Sequence, residues 1–85
     1  MADFEFSSHA LKQMEDRGIS AEMVLETLHH PLTQAESDGQ KVYQRLIKIE
    51  RMYLIRVFVN ITKSPMLIKT VYRTSKIDKY YEGEI

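Results

Sequence analysis

Residues 9–20 read His9-Ala-Leu-Lys-Gln-Met-Glu-Asp-Arg17-Gly18-Ile19-Ser20, and this stretch decides the fold. It contains a short helix, its stop signal and the start of a second helix. Ser7 or Ser8 is placed to cap the first helix through its hydroxyl. Gly18 sits where a left-handed residue ends a helix, and Ile19 is the apolar residue that usually follows. Ser20 then caps the second helix, with Ile19 and Val24 spaced as a hydrophobic staple and Glu22 in the first turn. On the first helix His9, Gln13 and Arg17 fall in one stripe at i, i+4, i+8, while Ala10, Leu11 and Met14 continue an apolar face from Phe6. Two readings of the stripe stand: a solvated face, or the wall of a site.

Working outward, the second helix runs to about His30, where Pro31 disfavours helical geometry in the residue before it. The period then changes from 3.6 to 2. Thr33–Ser37 reads as a weak strand, Asp38-Gly39 as a hairpin turn, and Val42–Ile49 and Tyr53–Ile61 as strands joined around Glu50-Arg51. Thr62 to Pro65 is a turn and Met66–Thr74 a fourth strand. In the third strand Tyr53, Ile55, Val57 and Val59 share the face suited to a core, and Leu54, Arg56, Phe58 and Asn60 share a mixed face that is either partly covered or built to hold something. Ser75–Ile85 is a polar, tyrosine-bearing tail, helical or extended. The expected fold class is α+β, with two N-terminal helices on one face of a four-stranded antiparallel sheet.

Eighty-five residues make one domain, 1–85, with one thin core. There is no cysteine, hence no disulfide framework and no thiolate chemistry. No apolar run approaches the roughly 20 residues that cross a bilayer, and Met-Ala-Asp-Phe-Glu lacks the basic start and apolar core of a signal peptide. A cytoplasmic protein without membrane association is expected. The net charge of zero conceals a split. Residues 1–40 carry two basic and eight acidic side chains, and residues 41–85 carry ten basic and four acidic ones, so the halves are −6 and +6. Either the halves simply attract each other, or the basic side meets phosphates.

Several residues have chemistry beyond the fold. His9 lies in the first turn of a helix, where the dipole disfavours its charged form and leaves an imidazole ready to accept a proton. Arg17 suits a helix C-terminus and equally a phosphate clamp. Adjacent His29 and His30 point about 100° apart on a helix, so they read as a helix end rather than a metal pair, and no metal or cofactor is expected. In the last strand Thr70, Tyr72 and Thr74 alternate onto one face, with Lys69 and Arg73 on the other. Hydroxyls in a row suit phosphodiester binding and a tyrosine can stack on a base, although Thr and Tyr are also ordinary strand formers. Cutting RNA requires a base for the 2′-hydroxyl, an acid for the leaving oxygen and cations for the phosphorane, with no metal. His9, Arg17, Tyr72 and Arg73 have the right types.

H-A-x-x-x-M-x-x-R-G-I-S near the N-terminus followed by T-V-Y-R in the last strand resembles the bacterial family called domain of unknown function 4258. That family is similar to the barnase, EndoU, colicin and RelE-like group of metal-independent ribonuclease toxins. The resemblance, from about Phe6 to Tyr81, implies a RelE-like fold and a toxin-like endoribonuclease. By it, His9 and Tyr72 would be the catalytic acid and base, and Arg17, Thr70, Arg73 and Arg56 would hold RNA phosphates. The implied partners are RNA and a cognate antitoxin protein, for a monomer or homodimer. A non-catalytic protein-binding or oligomerising module on the same scaffold is the alternative. The chain departs from the family pattern at Gln13, where that pattern has an arginine; the departure removes a cation from the His9 stripe.

Overall fold

The computed structural model describes residues 4–77. In chain order the elements are β1 (Phe4–Phe6), α1 (Ser8–Arg17), α2 (Ala21–His29), β2 (Thr33–Ser37), β3 (Gln40–Ile49), β4 (Arg51–Asn60) and β5 (Met66–Thr74). The five strands form one sheet in the order β1-β5-β4-β3-β2.

Both helices begin and end where side-chain chemistry dictates. The Ser7 hydroxyl accepts from the Ala10 N–H, and Gly18 closes α1 with φ 65° while its N–H donates to Met14 O. The Ser20 hydroxyl accepts from the Met23 N–H, so α2 starts after a three-residue corner, Gly18-Ile19-Ser20. His29 is the last residue of α2 and His30 its C-cap, with the His30 N–H donating to Glu26 O. Ile19 and Val24 are both buried, as a staple requires.

After Pro31 the chain forms an antiparallel meander, β2 to β5. Asp38 (φ 51°) and Gly39 (φ 79°) make its first turn with both central residues left-handed, the geometry that matches strand twist. A Cβ at Gly39 would come within 2.8 Å of the Thr62 methyl. We therefore expect Gly39→Ala to lower stability by about 1–2 kcal/mol from the backbone conformation alone, and more if Thr62 cannot move, as read by urea denaturation. The reverse turn between β3 and β4 is a single residue, Glu50 (φ 70°), because Ile49 and Arg51 are register partners.

Two expectations are corrected. The sheet has five strands and is mixed, not four and antiparallel: Phe4-Glu5-Phe6 forms β1, parallel to β5 with Phe6 beside Ile68. Phe6 therefore does not extend the apolar face of α1, and Leu11, placed on that face, is 51% exposed. Three residues of Phe-Glu-Phe are too short a run for periodicity to identify; pairing with a long neighbour makes them a strand. The strands read at 33–37 and 66–74 have those bounds, while β3 and β4 each begin two residues earlier than read. Of the tail read at Ser75–Ile85, residues 78–85 lie outside the described residues.

The core lies between the helices and one sheet face. Ala10, Met14, Ile19, Val24 and Leu28 meet Tyr43, Ile55, Val57, Val59, Ile68 and Val71. Among the described residues no helix is long and apolar enough to cross a membrane.

Candidate functional site

β5 is the strand on which the site depends, and α1 holds it. β1 covers only Met66 to Ile68 of its outer edge. Beyond that point α1 takes over. The Ser7 hydroxyl donates to Lys69 O at 3.2 Å, and the Gln13 side-chain oxygen accepts the Val71 N–H at 2.9 Å. Gln13, the middle residue of the His9–Gln13–Arg17 stripe, thus serves as an edge partner for the sheet. This satisfies a backbone donor that would otherwise be stranded between helix and strand.

On the face opposite the helices, four strands contribute to one row of polar side chains. The Gln44 amide donates to the Thr33 hydroxyl at 2.8 Å, and Arg56 Nε donates to Gln44 Oε1 at 2.7 Å. Arg56 Nη1 donates to the Tyr72 hydroxyl. Tyr72 stacks on Phe58, with centroids 6.0 Å apart and planes 16° apart. The Arg56 guanidinium lies 5.2 Å from the Phe58 centroid and 5.5 Å from that of Tyr72. Arg56, Phe58 and Tyr72 are all half-buried. Among the described residues the row is a pre-organised unit, in which Gln44, Tyr72 and the Phe58 ring hold a planar cation.

Register brings Tyr72 to this face through a β-bulge. The β4–β5 pairing shifts between Phe58 and Val59, so Ile68 and Val71, three apart, both reach the core. Thr70, Tyr72 and Thr74 consequently share the side of Arg56 and Phe58. The bulge also corrects one placement. Lys69, expected to share the face of Arg73, has its ammonium 3.5 Å from Gln40 Oε1, and Gln40 is paired with Asn60 on the Arg56 side.

The six candidate residues divide into two groups. Arg56, Tyr72 and Thr70 come together on the opposite face. His9 and Arg17 are exposed on α1, which packs on the core face, and Arg73 turns to that same side with its guanidinium 4.7 Å from the Tyr53 ring centroid. His9 lies on α1 and Tyr72 on β5, the strand whose edge α1 bonds through Ser7 and Gln13. Gln44, Thr33 and Phe58 belong to the row but were not read as site residues. The signal for them is register: Gln44 pairs with Arg56, Thr33 pairs with Gln44, and Phe58 follows Arg56 by two residues on β4.

Two shallow depressions adjoin the row. One of about 200 Å³ is lined by Thr33, Ala35, Val42, Gln44 and Arg56. The next, of about 280 Å³, is lined by Ala35 to Asp38, Gln40, Val42 and Phe58. A further depression, of about 330 Å³, lies between α2 and β3, where Arg45 donates to His30 O at 2.6 Å and sits 3.6 Å from Glu26. Among the described residues no group of three His, Cys, Asp or Glu side chains is placed to hold a metal.

No curated protein and no solved structure matches the chain. A family model described as Domain of unknown function (DUF4258) matches residues 6–73. The matched span runs from the last residue of β1 through both helices to Arg73 in β5, and so contains the α1–β5 clasp and the whole Thr33–Gln44–Arg56–Tyr72 row. Covering most of the sequence, it makes this chain a member of that family.

Proposed function

We propose that the chain binds single-stranded RNA on the sheet face opposite its helices. The observation that carries this is the Phe58–Tyr72 stack with the Arg56 guanidinium against both rings. Half-buried aromatic rings on a sheet offer platforms for unstacked bases, and a fixed guanidinium offers positive charge to the phosphates beside them. Thr70 and Thr74 add hydroxyls beside Tyr72, and Lys48, Arg56 and Lys69 supply positive charge on this side.

The likeness to RelE-like ribonuclease toxins favours a second reading, in which the same face cuts RNA in the cytoplasm. There Arg56 would stabilise the phosphorane. Tyr72, whose oxygen accepts from Arg56 and whose proton therefore points away from the guanidinium, would protonate the leaving oxygen. His9, exposed on α1 one turn before the Gln13 that bonds β5, would take the part of the base in that reading.

Anisotropy of a fluorescein-labelled 12-nucleotide single-stranded RNA tests the binding. We expect Phe58→Leu to weaken binding about tenfold, the scale of one lost base stack. Arg56→Gln is expected to weaken it and to reduce the salt dependence by about one ion. Absence of binding by the folded wild type at low salt, or wild-type affinity in both variants, overturns the proposal. The same RNA incubated with EDTA and run on a gel separates the readings. Scission abolished by Tyr72→Phe establishes cleavage, and intact RNA leaves binding alone.

A further inference from the structure

The sheet has two edges, and the chain treats them differently. On one side β1 and then α1 cover β5, down to individual backbone groups at Lys69 and Val71. On the other side β2 is the last strand among the described residues, and Gln34 to Ser37 are all exposed. Edge strands are usually blunted by proline, lysine, a bulge or extreme shortness. β2 has no proline or lysine, pairs with β3 in unbroken register over five residues, and carries one charge, Glu36.

The hairpin geometry says which groups are presented. A two-residue turn at Asp38-Gly39 makes Ser37 and Gln40 the hydrogen-bonded pair, and such pairs recur at every second residue. Thr33, Ala35 and Ser37 therefore direct their N–H and C=O groups toward β3, and Gln34 and Glu36 direct theirs outward. On the opposite face the small side chain of Ala35 leaves the 280 Å³ depression open toward this edge, with Val42 and Phe58 among its lining. A strand added about 4.8 Å outside β2 would lower one side chain into that depression beside Ala35. Charge selects the occupant. Residues 33–39 contain Glu36 and Asp38 and no cation, and Lys41 lies on the inner side, across from Glu36 on β3. A second copy of β2 would bring the same acidic set to the edge, whereas a basic strand complements it.

We propose that the outer edge of β2 is a docking site for an extended segment of another protein, in which aliphatic residues that fill the Ala35–Val42–Phe58 depression alternate with lysine or arginine. The site adjoins the Arg56–Tyr72 row and shares Phe58 with it, but does not depend on its RNA reading.

The test uses ¹⁵N-labelled chain and the peptide acetyl-Lys-Val-Lys-Val-Lys-amide, with acetyl-Glu-Val-Glu-Val-Glu-amide as control. The basic peptide is expected to shift the amide signals of Gln34 and Glu36 and slow their hydrogen exchange, while the acidic peptide does neither. Gln34→Pro removes one outward N–H at a position where an edge strand tolerates proline, and should weaken binding about tenfold or more. Glu36→Lys should weaken it severalfold and admit the acidic peptide; this variant leaves the backbone untouched and carries the test if Gln34→Pro does not fold. Shifts confined to other elements overturn the proposal, as does unchanged affinity in either folded variant. A wild-type dimer made monomeric by Gln34→Pro in sedimentation would assign the edge to a second copy instead, and also overturns it.

Discussion

Ile68→Ala is expected to lower the unfolding free energy by about 2–5 kcal/mol, the range for removing a large aliphatic side chain from a core that cannot collapse around the gap. Ile68 is fully buried and paired with Phe6 of β1 on one side and Val59 of β4 on the other. It lies in the same cluster as Ala10 and Met14 of α1, so three elements converge on it. The bulge that follows fixes its backbone, which limits relaxation into the cavity. A domain of this size has a total stability on the order of 5–10 kcal/mol, so the variant would sit near the edge of folding at 37 °C. Urea denaturation of Ile68→Val and Ile68→Ala measures it. The expected losses are about 0.5–1.5 and 2–5 kcal/mol, and a loss below 1 kcal/mol for alanine would mean that β1, α1 and β5 do not share one core.

Gln13 gives the second large effect, and its sign depends on chemistry rather than size. Its oxygen accepts the Val71 N–H where β5 has no neighbouring strand. Gln13→Ala leaves that donor without its partner at a part-buried position, for an expected loss of about 1–3 kcal/mol. Gln13→Arg should cost a similar amount, because a guanidinium has donors and no acceptor. Gln13→Glu keeps an acceptor and should cost clearly less. Amide hydrogen exchange at Val71 offers an independent readout, protected in the wild type and in Gln13→Glu and faster in the other two. Equal stability for all three variants would show that α1 is held by Ala10 and Met14 alone. The position bears on function too. The arginine that the family pattern places here would add a cation beside His9, whereas this chain uses the position to close its sheet.

The same logic shows why the polar row was only half legible. Arg56 and Tyr72 stand out as residue types, but their neighbours depend on register. A two-residue turn at Glu50-Arg51 would set Arg45 opposite Arg56; the single-residue turn at Glu50 sets Gln44 there instead. Strict alternation along β5 would place Tyr72 on the same face as buried Ile68, among the core residues; the bulge turns it to the other side, opposite Arg56. Each is a shift of one residue, and with a period of two a shift of one reverses every face. Lys69 was misplaced for that reason.

Local sequence alone determined both helices, the caps at Gly18, Ser20 and His30, the choice of Ser7 or Ser8 at the first cap, the Asp38-Gly39 hairpin and the core face of β4, because each follows from a side chain acting on backbone within a few residues. The tertiary structure decided β1, the role of Gln13 and the assembly of Thr33, Gln44, Arg56 and Tyr72. Those depend on which strand lies beside which and in what register, and that is settled by packing between segments up to 62 residues apart, such as Ser7 and Lys69.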